Sequence, residues 1–142
     1  MTFASFNPRT TVETAGGGSP YQPGFCNIGP AEIARRRRAG HVGLAVTVAV
    51  LAGLIALHVP PLARLIVALP AAVAASGYLQ AQLHFCAGFG SRGVFNFGQL
   101  GQVFEVADPA ARARDRARSM QIGLASVAIS VAVGVLAVLL PL

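Results

Sequence analysis

Three uncharged apolar runs limit what this chain can fold into more than any other feature. They span His41 to His58, Leu65 to Leu83 and Ile122 to Leu140. At 1.5 Å per helical residue, an 18-residue run covers roughly 27 Å, close to the hydrocarbon thickness of a bilayer. The composition agrees. Of 142 residues, 54% are hydrophobic and 11% charged, where a soluble domain averages about 25% charged. A water-soluble fold of this size has too much surface for its volume to hide so many apolar side chains. The sequence therefore predicts an all-α integral membrane protein with transmembrane segments at 41–58, 65–83 and 122–140. The third helix extends into the cytoplasm.

Charge placement predicts the orientation. The net charge is +6 and all eleven basic residues are Arg. Five lie in residues 1–40 and five more are Arg92, Arg112, Arg114, Arg116 and Arg118, whereas the turn between the first two runs holds only Arg64. The positive-inside rule then puts the N-terminus and the 84–118 loop in the cytoplasm and the C-terminus outside. The Ala, Val, Gly and Arg bias suggests a GC-rich bacterial genome, and so an inner membrane. Arg residues that flank apolar runs fit anionic headgroups better than nucleic acid. Arg35, Arg36, Arg37, Arg38, Arg112 and Arg116 are the candidate contacts to lipid or to an acidic partner, alongside their role as topology signals.

The punctuation between runs is readable too. Residues 1–25, rich in Thr, Gly, Ser and Pro, read as a disordered tail, and 26–142 as one membrane domain. No secretory h-region precedes the first run. Pro30 suits the first turn of a helix that Glu32 favours at its positive end, and Pro60-Pro61 ends the first run. Pro70 should kink the second. Asp108-Pro109 is an N-cap followed by Pro at the first helical position, opening a helix of about 30 residues. Asp108 with Arg112 and Asp115 with Arg118 are at pairing distance along it. Gln102 to Val106 alternates enough for a short strand. Small residues recur at four-residue spacing as Ala45, Ala49 and Gly53; as Ala68, Ala72 and Ser76, with Gly77 adjacent; and as Ser126, Ser130 and Gly134. Such faces let membrane helices approach closely, although an Ala-rich sequence also produces them by chance.

Candidate chemistry is sparse. The topology brings Cys26, His84 and Cys86 to one membrane face, where two thiols and an imidazole suit a thiolate-bound metal or a reversible disulfide. The plainer reading is inert residues at helix ends. His41 and His58 flank the first run, either as interfacial residues or as cofactor ligands. Gly88-Phe89-Gly90-Ser91-Arg92-Gly93 has the spacing of a dinucleotide fingerprint but lacks the strand before it that the motif needs. No carboxylate approaches the apolar runs, which argues against an independent ion or proton carrier.

Asn27-Ile28-Gly29, the run Arg35 to Arg38, Gly40 or Gly43, Pro70, Gly77 and Cys86 resemble the pattern of a small bacterial inner-membrane family of unknown function. Its two-helix unit also occurs attached to rhodanese domains. The resemblance covers residues 26–90 and implies a helical hairpin with thiol or sulfur chemistry nearby. The Phe/Gly loop and the third helix depart from it. The function expected is a non-enzymatic subunit or accessory factor of a larger membrane complex, with lipids and other subunits, or itself, as partners. No nucleic acid and no cofactor are expected beyond that possible metal. Thiol or metal handling is the second reading, and an oligomeric small-solute carrier or pore the third.

Overall fold

The computed structural model describes residues 9–12 and 20–142. In chain order the elements are β1 (Arg9–Val12), α1 (Pro30–Ala56), a 3-10 run (Pro61–Val67), α2 (Ala68–Gln82), α3 (Ala87–Arg92), β2 (Val94–Phe95), β3 (Val103–Val106) and α4 (Pro109–Leu139). The chain is mostly helical. Three helical stretches, Pro30–Ala56, Pro61–Gln82 and Pro109–Leu139, are long and apolar enough to cross a membrane. The departure from an all-α chain is a small sheet of order β1-β3-β2, in which β3 pairs parallel with β1 and antiparallel with β2.

Local chemistry explains the helix ends. Asp108 caps α4, accepting from the backbone N–H groups of Ala110 and Ala111 at 3.0 and 3.3 Å. Pro109 has no N–H to leave unpaired there. The second apolar stretch opens as a 3-10 run and becomes α-helical at Ala68. Pro70 therefore lies in the first α-turn after that change of helix type, inside the continuous stretch Pro61–Gln82. α1 ends in a Schellman turn: Val59 N–H donates to Leu54 O and His58 N–H to Ile55 O, both at 3.0 Å.

α2 packs against both α1 and α4. The seam with α1 is formed by backbone. A Cβ on Gly77 would lie 2.5 Å from Gly40 N, and one on Gly43 would lie 2.5 Å from Ala74 N. The packing face of α1 is thus Gly40, Gly43 and Thr47, which are buried. The expected face of Ala45, Ala49 and Gly53 is exposed, and Gly53 has nothing within 4 Å. On α2 the buried residues are Ala71, Ala74, Ala75, Gly77, Gln80 and Ala81, while Ala68, Ala72 and Ser76 are half-buried. On α4 the expected Ser126, Ser130 and Gly134 are all buried. The buried stripe continues toward the N-terminus of that helix through Ile122, Ser119, Asp115 and Ala111. Hydroxyls within the apolar runs are satisfied inside their own helices, Thr47 on Gly43 O at 2.7 Å and Ser126 on Ile122 O at 2.8 Å.

Below the basic ends of the helices sits a cap with its own core. Tyr21, Phe95, Val106 and Ala111 pack together with Phe97 and Phe104, and Ile28, Cys86 and Phe89 form a second cluster. Residues 20–25 are part of this cap: Tyr21 is buried and stacks on Phe95 at 4.8 Å. The disordered tail expected over 1–25 is corrected for this stretch, because an aromatic ring finds a hydrophobic pocket there. It is corrected for Arg9–Val12 as well, whose backbone pairs with β3. For residues 1–8 and 13–19 that expectation lies outside the described residues.

Candidate functional site

Asn27 organises the place where the ends of α1 and α2 meet. Its side-chain amide donates to Cys86 O at 3.1 Å and accepts from Cys86 N–H at 2.7 Å. Its backbone N–H donates to His84 O at 3.2 Å and its carbonyl accepts from Asn96 N–H at 3.0 Å. Asn27 is fully buried, and these bonds satisfy its amide in a setting where an unmet polar group costs on the order of 1–3 kcal/mol. Gly29 is required beside it, since a Cβ there would lie 2.8 Å from Phe97 Cα.

The structure therefore brings the segments holding Cys26, His84 and Cys86 together, as the topology predicts. It does not converge their side chains. Cys86 Sγ accepts from Arg36 Nη2 at 2.9 Å and is buried. Cys26 Sγ faces Ile28 O at 3.9 Å, and burial pushes its thiol pKa up against an opposing contact with the Ile28 backbone. A raised pKa lowers the thiolate fraction, and with it both nucleophilicity and metal affinity. Both thiols are free, and among the described residues no group of three His, Cys, Asp or Glu is placed to hold a metal ion. The reason at His84 is a backbone one. With φ of 51° it is the left-handed residue that ends α2, and Phe85 N–H closes the turn on Gln80 O at 3.1 Å.

Of the six candidate arginines, Arg36 differs from the rest. Arg35, Arg37, Arg38, Arg112 and Arg116 are exposed, whereas Arg36 is half-buried. Its Nη2 lies 3.5 Å from Glu32 Oε2 and its guanidinium 5.9 Å from the Phe89 ring centre. Arg35 reaches the same carboxylate at 3.7 Å. Glu32 is buried, and its oxygens make ion pairs but no hydrogen bonds among the described residues. Arg112 Nε donates to Val106 O and does not pair with Asp108, which is occupied in capping α4.

Asp115 is a second polar node. Its oxygens accept from the Tyr21 hydroxyl and from Gly24 N–H, both at 2.7 Å. It holds the 20–25 hook against α4 and makes no pair with Arg118, which bonds Gln121 instead. Desolvation raises the Asp115 pKa, with the bonds from Tyr21 and Gly24 opposing. The Tyr21 hydroxyl is raised as well, first by burial and then by its bond to Asp115. At the opposite end, buried Arg64 donates from Nη1 to Leu140 O at 3.0 Å and from Nη2 to Leu142 O at 2.7 Å.

Two grooves open near the basic ends of the helices. One, of about 380 Å³, runs along the α1–α2 seam and includes Arg36, Ser76 and Gln80. The other, of about 420 Å³, lies between α3 and α4 and includes Ser91, Arg116 and Met120. The Gly88–Gly93 segment forms α3 and its left-handed Gly93 cap. Gly90 lets α3 approach α4, since a Cβ there would meet Ser119 Oγ at 2.4 Å. His41 lies 2.6 Å from the Tyr78 hydroxyl, a lateral α1–α2 contact.

Sequence reasoning missed Tyr21, Glu32 and Asn96 as buried partners and misassigned Asp115. Asp115 carried a signal: it falls on the stripe Ala111, Asp115, Ser119, Ile122, in phase with the small-residue face above it. Asn27 and Asn96 carried none, because nothing local marks a residue whose partners lie far along the chain.

No family model, curated protein or solved structure matches this chain.

Proposed function

We propose that this protein is a small, non-enzymatic membrane subunit, an accessory factor of a larger membrane complex in a bacterial inner membrane. In this reading the basic cap faces the cytoplasm and the C-terminus the outside, following the bias of ten arginines to one. One observation carries it: three buried polar side chains, far apart in the fold, fix segments to one another. Asn27 clips the start of α1 to the end of α2, Asp115 clips the hook to α4, and Arg64 clips the α1–α2 connection to the end of α4. Meanwhile only 17%, 33% and 28% of the three apolar windows are buried within the molecule. A rigid unit with most of its apolar surface turned outward suits packing among other membrane helices and lipid.

The test is purification from native membranes in mild detergent, with mass spectrometry of co-purifying chains. Stoichiometric partner chains are expected. A well-behaved monomer, purified alone and stable, would remove the proposal.

A thiol or metal function at Cys26, His84 and Cys86 is the second reading. It is favoured by one fact: free thiols on segments hydrogen-bonded to each other through Asn27. It requires metal in the purified protein, or a reduction-dependent gel shift, that Cys26→Ser and Cys86→Ser abolish. Absence of both removes it.

A further inference from the structure

We infer that the groove along the α1–α2 seam is a binding site for an anionic phospholipid, with the phosphate at Arg36 and an acyl chain along the seam. The inference rests on reading the helices as membrane spans, and it stands whether or not a partner complex exists. The groove, of about 380 Å³, is built by Arg36 and Ala39 from α1 and by Ala72, Val73, Ser76 and Gln80 from α2. Its polar residues are at one end and its apolar residues at the other, in the order a lipid presents them. From Gln80 to Ala72 the floor runs eight residues along the helix, roughly 12 Å into the apolar layer.

Charge complementarity selects the headgroup. Arg36 lines the groove, and Arg35, Arg37 and Arg38 beside it on α1 leave that end of the helix strongly positive against the single carboxylate of Glu32. Arg36 is pinned there. Its Nη2 is engaged by Cys86 Sγ and faces Glu32, and its Nε is buried with no acceptor among the described residues. A guanidinium held beside the groove and flanked along α1 by exposed arginines suits phosphate better than a zwitterionic surface. Gly77 and Gly40 keep the two backbones close at this level, and Val73 is open on the outer wall.

The experiment is native mass spectrometry of the full chain in detergent, titrated with phosphatidylglycerol, with phosphatidylcholine of matched chains, and with inorganic phosphate. A preference for phosphatidylglycerol of about fivefold is expected, the effect of one well-placed basic side chain. Val73→Trp, which fills the outer wall and leaves every arginine in place, is expected to erase the preference. Val48→Trp, an equal change on the open face of α1, is expected to keep it. If Val73→Trp aggregates, Ala39→Leu fills the same groove from the other helix and has the same expected result. Equal binding of the two lipids, or a preference that survives the filled groove, overturns the site. So does displacement of bound phosphatidylglycerol by inorganic phosphate alone, which would mark a free-anion site. Carbonate extraction of the same membranes separates the failures: protein retained but indifferent to lipid sinks only this inference, and protein released sinks the membrane reading as well.

Discussion

His58 and His84 do the same job at the ends of two helices. Both have positive φ, 52° and 51°, and both follow the last helical residues of α1 and α2. Glycine is the usual residue there, because a Cβ in the left-handed region costs about 1–2 kcal/mol. His84→Gly is thus expected to raise the unfolding midpoint in detergent, by the equivalent of about 1 kcal/mol. A metal-ligating His84 predicts the reverse, destabilisation with loss of metal, so one melting curve decides between the roles. Asp115 gives a second residue-scale prediction. Its folded pKa lies above the ordinary value of 3.8 because burial disfavours the carboxylate. The folded protein then holds a proton that the unfolded chain releases. Its contribution to stability is full below pH 3.8 and is lost as pH rises through the raised folded value. Thermal melts across that window should show stability falling with pH, and Asp115→Asn should flatten the slope. Asp115→Ala removes the carboxylate that accepts from the Tyr21 hydroxyl and Gly24 N–H, at a cost on the order of 2 kcal/mol. Limited proteolysis at residues 20–25 should report the released hook.

Among the elements, α1 shows how backbone proximity outweighs pattern. Its sequence offers small residues on two faces. Only the Gly40, Gly43, Thr47 face meets α2, because Gly77 and Ala74 face it there with almost no side-chain bulk. Gly77→Ala is expected to force the helices apart and cost about 1–3 kcal/mol. Gly53→Ala, with nothing within 4 Å, should leave the hairpin unchanged or steady the helix slightly. Comparing the two variants by thermal aggregation in detergent separates packing from helix propensity. If Gly77→Ala melts like the parent, the close seam is wrong. α4 behaves differently. There the small-residue face and the packing face coincide, and its start at Asp108-Pro109 was legible because capping chemistry is local.

For the molecule as a whole, the two ends are built on different chemistry. The basic end is a folded cap with aromatic cores, and the other is closed by a single buried guanidinium. Arg64→Met removes two hydrogen bonds from a charged donor and is expected to cost about 2–3 kcal/mol. Hydrogen exchange should rise over the last turns of α4, and unchanged exchange there would mean that Arg64 holds nothing. Because Arg64 is buried and bonded, it is a structural residue and not a counterweight in the charge bias that orients the chain. The proposed orientation predicts that a thiol introduced as Leu142→Cys reacts with an impermeant reagent added to intact cells. Labelling only after lysis would invert the topology.

The sequence by itself determined the three apolar stretches, their basic flanks, the capped start of α4 and the short strand near Val103. Each depends on residues that are neighbours along the chain, so periodicity, capping and charge runs report them directly. Only the tertiary structure decided which glycines form the α1–α2 seam, that Asn27 and Asp115 are the clips, and that Cys26, His84 and Cys86 share a neighbourhood without sharing a centre. These outcomes depend on contacts between residues far apart in the chain, such as the 59 positions between Asn27 and Cys86. There the rotation of each helix about its own axis, set by packing, decides whether a side chain faces a partner, a backbone or lipid.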